Sequence, residues 1–192
     1  MNFKKKVATE ANKTREEFLE YKRKKTWIDN KTGYKCFVLY PRSLFVTWGN
    51  RDHWTWNCFK ETSDENIEVV KLSHVCWMDV RGKFKISELS PGVMYEIVYE
   101  VKLTNAAFGW EAPVSLKLSL PADGKVQNRQ VSLLEKPRGE WFELCVGNFL
   151  TETSNNDGSQ STAEVFFDFF EHGGHWKSGL IIKAAILRPK IN

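Results

Sequence analysis

The stretch that decides the fold is Val93-Met94-Tyr95-Glu96-Ile97-Val98-Tyr99-Glu100-Val101-Lys102-Leu103. Val93, Tyr95, Ile97, Tyr99, Val101 and Leu103 fall at every second position, with Glu96, Glu100 and Lys102 between them. Side chains alternate across a strand, so the pattern predicts a long strand with one buried and one wet face. Val114-Ser115-Leu116-Lys117-Leu118-Ser119-Leu120 repeats the alternation, and Pro121-Ala122-Asp123-Gly124 has the chemistry of a turn.

Further short apolar runs lie on either side: 35–40, 44–48, 67–72, 75–80, 141–146, 164–170 and 180–187. Arg81-Gly82-Lys83 reads as a turn into Phe84-Lys85-Ile86, and 153–161 as a polar loop. About ten short strands with no long helical segment predict an all-β fold, an antiparallel β-sandwich or barrel.

Charge divides the chain unevenly. Residues 1–25 hold nine of the 28 basic residues and four of the 24 acidic ones, leaving 19 basic against 20 acidic in the rest. The basic balance therefore belongs to an N-terminal arm, read as helical or disordered, with Val7, Ala11, Phe18 and Tyr21 near helical spacing. Two units are expected: the arm, 1–25, and one domain, 26–192. The arm either stays solvated or touches RNA, anionic lipid or an import receptor. The body lacks the footprint of a nucleic-acid binder.

No signal-peptide pattern and no membrane span are expected. Cys36, Cys58, Cys76 and Cys145 form no CxxC pair. Three of them lie in apolar runs, as reduced, buried thiols would, which favours a reducing compartment.

Thr47-Trp48-Gly49-Asn50-Arg51-Asp52-His53-Trp54-Thr55-Trp56 concentrates three indoles in nine residues. Read one way, this is an exposed aromatic platform for flat, weakly polar ligands such as sugar rings or bases. Read the other way, it is a hydrophobic cluster closing one end of a sandwich.

His172 and His175 lack a third ligand and a rigid frame, so neither a metal nor any cofactor is expected. Glu164 and Glu171 bracket a strand at an odd spacing and point to opposite faces unless a turn or bulge intervenes. No phosphate loop or GxSxG turn is present, and no enzyme is expected. A carboxylate beside an aromatic platform can instead accept two sugar hydroxyls.

The ordered blocks Phe45-Val46-Thr47-Trp48, His53-Trp54-Thr55-Trp56, Asn66-Ile67-Glu68-Val69, Val75 to Lys83, Tyr95 to Leu103 and Trp176 to Lys183 resemble the phloem protein 2 lectins of plants. The same blocks resemble the Nictaba-like domain, and Gly109-Trp110 followed by Pro113 to Leu118 is similar to the type A branch.

The resemblance implies a jelly-roll-like sandwich, a homodimer, and metal-free binding of N-acetylglucosamine oligomers, N-glycan cores and glycoproteins. It also implies a nucleocytoplasmic or phloem sieve-element location. By that resemblance the sugar site falls on Trp48 and Trp54, with Glu164 and Glu171 accepting hydroxyls. His53 and Asn50 would serve the acetamide or ring hydroxyls. Trp54 is expected to stack, Trp48 to do so or to close the core, and Trp56, Trp77 and Trp176 to be structural. The loop between Trp48 and Trp54 departs from the tobacco-type pattern, being a residue shorter and carrying His53 in place of Tyr. The competing functions are RNA binding through the arm, partnership with a phloem filament protein, and a defence or scaffold module without sugar binding.

Overall fold

The computed structural model describes residues 16–50, 52–62, 65–153 and 162–191. The first fifteen residues of the arm and the polar loop at 154–161 lie outside the described residues.

Thirteen strands form in chain order among the described residues. They are β1 (Glu17–Leu19), β2 (Lys24–Ile28), β3 (Lys35–Leu39), β4 (Phe45–Val46), β5 (Trp54–Thr62), β6 (Glu65–Leu72), β7 (Met78–Lys85), β8 (Met94–Phe108), β9 (Val114–Leu120), β10 (Lys125–Val131), β11 (Trp141–Leu150), β12 (Glu164–Glu171) and β13 (Ser178–Pro189). Two antiparallel sheets result, giving the expected jelly-roll-like β-sandwich. In the eight-stranded sheet β13 is central. It pairs with β8 on one side and with β3 and β6 on the other. Beyond these lie β11, the pair β2 and β1, and β5. The five-stranded sheet runs β10-β9-β12-β7-β4.

The deciding stretch lies inside β8. Tyr95, Ile97, Tyr99, Val101 and Leu103 are all fully buried. Tyr99 crosses the core: its hydroxyl donates to the Phe167 carbonyl of the opposite sheet at 2.8 Å. Phe37 meets Phe84 across the same gap, ring centroids 4.7 Å apart. The expected wet face is instead covered by its own charges. Arg188 bonds Glu96 at 2.8 Å, Lys183 reaches Glu100 at 3.3 Å, and Val98 beneath them is buried.

Several elements differ from the sequence reading. Residues 17–28 form a hairpin that extends the eight-stranded sheet through β3, rather than a helix. Tyr21 sits fully exposed at its tip, Phe18 packs against the Val38 and Tyr40 cluster, and Val7 and Ala11 of the expected stripe lie outside the described residues. Arg81-Gly82-Lys83 is strand, because Gly82 lies beneath the Phe167 ring, where a Cβ would fall 2.0 Å from the ring edge. Of the thiols read as buried, Cys36 is buried and pushed up to about 12 by desolvation. Cys76 and Cys145 are only partly covered.

Candidate functional site

Three connections meet at one end of the sandwich: β4–β5, β6–β7 and β12–β13. The Thr47 amide donates to the Asp79 carbonyl at 3.0 Å, which fastens the first to the start of β7. Ser73 and His74 amides both donate to the His53 carbonyl, tying the second to the first. Val75 and Lys177 exchange backbone hydrogen bonds at 3.1 and 2.8 Å, tying the second to the third.

Lys177 is the node beneath these loops. It is completely buried, and its Nζ donates to the carbonyls of Cys76, Gly173 and His175, the last two at 3.1 Å. Its charge is met by Glu171 Oε2 at 2.6 Å. Glu171 Oε1 accepts the Gly173 amide at 2.8 Å, and His175 approaches Oε2 at 3.3 Å. A buried ammonium is tolerated only when paired and fully hydrogen-bonded, so this arrangement fixes both loops. Asp79, 1% exposed, anchors the other side. It accepts from Arg81 Nε at 2.8 Å and lies 2.7 Å from His172 Nε2.

Trp48 stands at this end, 47% exposed, with a left-handed backbone (φ 64°). His53 meets it edge-on, ring centroids 6.3 Å apart, and its Nδ1 is 2.8 Å from the His74 carbonyl. Asn50 is exposed in the same loop.

Trp54 corrects the sequence preference. Only 4% exposed, it faces the core and donates its indole N–H to the Thr47 carbonyl at 3.1 Å, so it offers no ring face to a ligand. The segment after His53 is strand, and Trp54 takes the inward side of its alternation. Trp56 is structural, as expected: its N–H donates to the Gly49 carbonyl, and the Arg42 guanidinium lies 3.7 Å over its ring.

Glu164 and Glu171 occupy opposite ends of β12, opposite Lys85 and Met78. Seven residues of strand separate them by about 23 Å. Glu171 is beneath the loops and engaged with Lys177, whereas Glu164 is at the far end. The structure therefore brings Trp48, Asn50, His53 and Glu171 to one end and leaves Glu164 away from it.

Two tryptophans read as structural are exposed here: Trp77 at 49% and Trp176 at 51%. Each lies flat on a histidine. Trp77 stacks on His172 with centroids 3.6 Å apart and planes 6° from parallel. Trp176 stacks on His74 at 4.1 Å and 12°. The partners are exchanged between loops, since His74 belongs with Trp77 in the chain and His172 with Trp176. No local spacing encodes such an exchange. The only sequence signal was that both loops carry a His near a Trp.

All four histidines of the chain lie at this end. His172 is turned to Asp79, while His175 Nε2 is 3.0 Å from the Gly109 carbonyl. Among the described residues no group of three or more His, Cys, Asp or Glu side chains is placed to hold a metal ion. The arrangement offers three half-exposed indoles, two with their inner face already covered, rimmed by imidazoles. Such rings present apolar area at little cost in lost side-chain freedom.

The chain is 42% identical over 177 residues to "Protein PHLOEM PROTEIN 2-LIKE A1" of Arabidopsis thaliana, covering 90% of this chain and 69% of that protein. It is 40% identical over 174 residues to a "Lectin" of Luffa acutangula, covering 90% and 79%. A "Lectin" of Coccinia grandis is 31% identical over 144 residues, covering 74% and 87%. Among solved structures, the C-terminal CBM6 of LamC from Zobellia galactanivorans aligns over 81% of this chain and 99% of that one. The TM-score is 0.42 and the sequence identity 12%. The family model for "Phloem protein 2" matches residues 34–189. The chain belongs to the phloem protein 2 family.

Proposed function

We propose that this chain is a carbohydrate-binding lectin that takes N-acetylglucosamine oligomers, and glycoproteins bearing them, without metal and without catalysis. The observation that carries the reading is the set of half-exposed indoles, Trp48, Trp77 and Trp176, held at one end of a rigid sandwich. Two relatives named lectins support it.

A pyranose lays its C–H face on an indole, while polar groups at the rim take its hydroxyls and acetamide. Here Trp48 takes over the stacking role expected of Trp54, and His53 and Asn50 are the neighbouring polar groups. Glu171 is spent on Lys177 and acts as a positioning residue. Each contact is modest net of water, so useful affinity comes from several rings or several subunits, consistent with a homodimer. Phloem is the tissue that the family suggests.

The test is calorimetric titration of N-acetylglucosamine trimer into the full chain, with and without chelator and at two salt concentrations. Saturable heat indifferent to both supports the reading. No heat with the trimer, together with salt-sensitive RNA binding that is lost when residues 1–15 are removed, would replace it with RNA binding through the basic arm.

A further inference from the structure

The outer face of the five-stranded sheet carries aromatic residues that the loop end does not account for. Along β12, Val165, Phe167 and Phe169 are fully buried between the sheets. Glu164, Phe166, Asp168 and Phe170 alternate with them, half-buried, on the opposite side. Two phenylalanines thus stand on the solvent side of the central strand, between β7 and β9.

The line of rings begins at the site. Phe170 lies 4.7 Å from His172, ring to ring, and His172 lies against Trp77. Asp168 follows one pleat further along the strand, then Phe166, then Glu164. Phe170 and Phe166 are about 13 Å apart along the strand. A ligand that started on Trp77 and followed β12 would pass all of them.

Charge selects the ligand class. Asp168 stands in register between Arg81 of β7 and Lys117 of β9, and Glu164 stands opposite Lys85. Arg81 is already paired with Asp79 at 2.8 Å, which leaves Asp168 to face Lys117 and Glu164 to face Lys85, and leaves Lys83 opposite Phe166 with no carboxylate in register. A nucleic-acid platform needs a net positive track beside its stacking rings. Rings interleaved with compensated charges suit an uncharged, hydroxyl-rich chain, whose apolar faces take the rings and whose hydroxyls take the carboxylates and ammonium groups.

We infer that the outer face of β12 is an extended binding strip, on which Phe170, Asp168 and Phe166 take successive rings of a neutral linear oligosaccharide whose first ring sits on Trp77. The strip rests on the carbohydrate reading and adds to it a length preference. It also gives Glu164 a place at the far end of one long ligand.

The experiment compares binding of the N-acetylglucosamine dimer, trimer and hexamer to the wild-type chain, Phe166→Ala and Phe166→Leu, by calorimetry. The expected result is that the wild type gains affinity from trimer to hexamer. Both variants lose about tenfold on the hexamer and bind the dimer unchanged. The Leu variant keeps apolar bulk, so a loss shared by both reports the ring rather than a folding defect. Equal trimer and hexamer affinities in the wild type, or variants that match it on the hexamer, would overturn the strip and leave the lectin reading standing. No binding of any oligomer would overturn both. Salt-sensitive RNA binding that Phe166→Leu abolishes would reassign the face to nucleic acid.

Discussion

His172 lies flat beneath Trp77, ring centroids 3.6 Å apart and planes 6° from parallel, while its Nε2 is 2.7 Å from Asp79. The imidazole is thus fixed on two sides, by the indole above and by a buried carboxylate at the start of strand β7. It holds the outer indole face of Trp77 open to solvent in one orientation. Rigid presentation of that kind lowers the ordering cost of binding.

That relationship separates binding from stability at Trp77. In Trp77→Ala, affinity for the N-acetylglucosamine trimer should fall about tenfold or more. Thermal stability should change little, because half of the side chain is already in water. Calorimetric titration and a melting curve on one preparation check both parts.

Trp54 should behave in the opposite way. It is 4% exposed and hydrogen-bonded to Thr47. Trp54→Ala should cost about 3–5 kcal/mol in denaturant unfolding. A variant that loses binding but keeps full stability would mean that the indole faces solvent after all.

Lys177 supports both tryptophan loops from below. Lys177→Met leaves three carbonyls without their donor and the Glu171 carboxylate without its counter-charge. Breaking one partner of a buried pair costs about 3–5 kcal/mol. The loss should extend to ligand binding, because the loops bearing Trp77 and Trp176 lose their common anchor. Urea unfolding and glycan titration together test this.

Asp168 gives a pH signature. Burial holds its carboxyl above the usual range, against the opposing pull of Arg81. Its ionised form therefore costs stability at neutral pH, and that cost disappears as pH falls through the folded value towards the unfolded one, 3.8. Asp168→Asn should be slightly stabilising at pH 7, by less than about 1 kcal/mol since the group is half-exposed and screened. The advantage should vanish near pH 4. An advantage that grew on acidification would contradict the assignment.

Legibility in the sequence followed the strength of local pattern. β8 and β9 were readable because their alternation is strict and one face meets a fully dry core. β10 was not, because Lys125-Val126-Gln127-Asn128-Arg129-Gln130-Val131 is an exposed edge strand whose two valines, five residues apart, make no alternating pattern. Gly82 imitated a turn because the Phe167 ring that requires it is far away in the chain. At the site, Trp48 and His53 were visible as a local cluster. The exposure of Trp77 and Trp176 was not, since their histidine partners come from each other's loops. Trp54 misled because an indole six residues from Trp48 looks like part of the same platform until the strand boundary turns it inward.

The account rests on exposed tryptophans at one end of the sandwich doing the binding. The most direct measurement is titration of N-acetylglucosamine trimer into the wild-type chain and into the double variant Trp48→Ala/Trp77→Ala, following heat and indole fluorescence together. The account predicts saturable heat and a fluorescence change in the wild type, and neither in a double variant that still melts cooperatively near the wild-type temperature. Wild-type-like binding by that folded double variant would place the sugar elsewhere and contradict it.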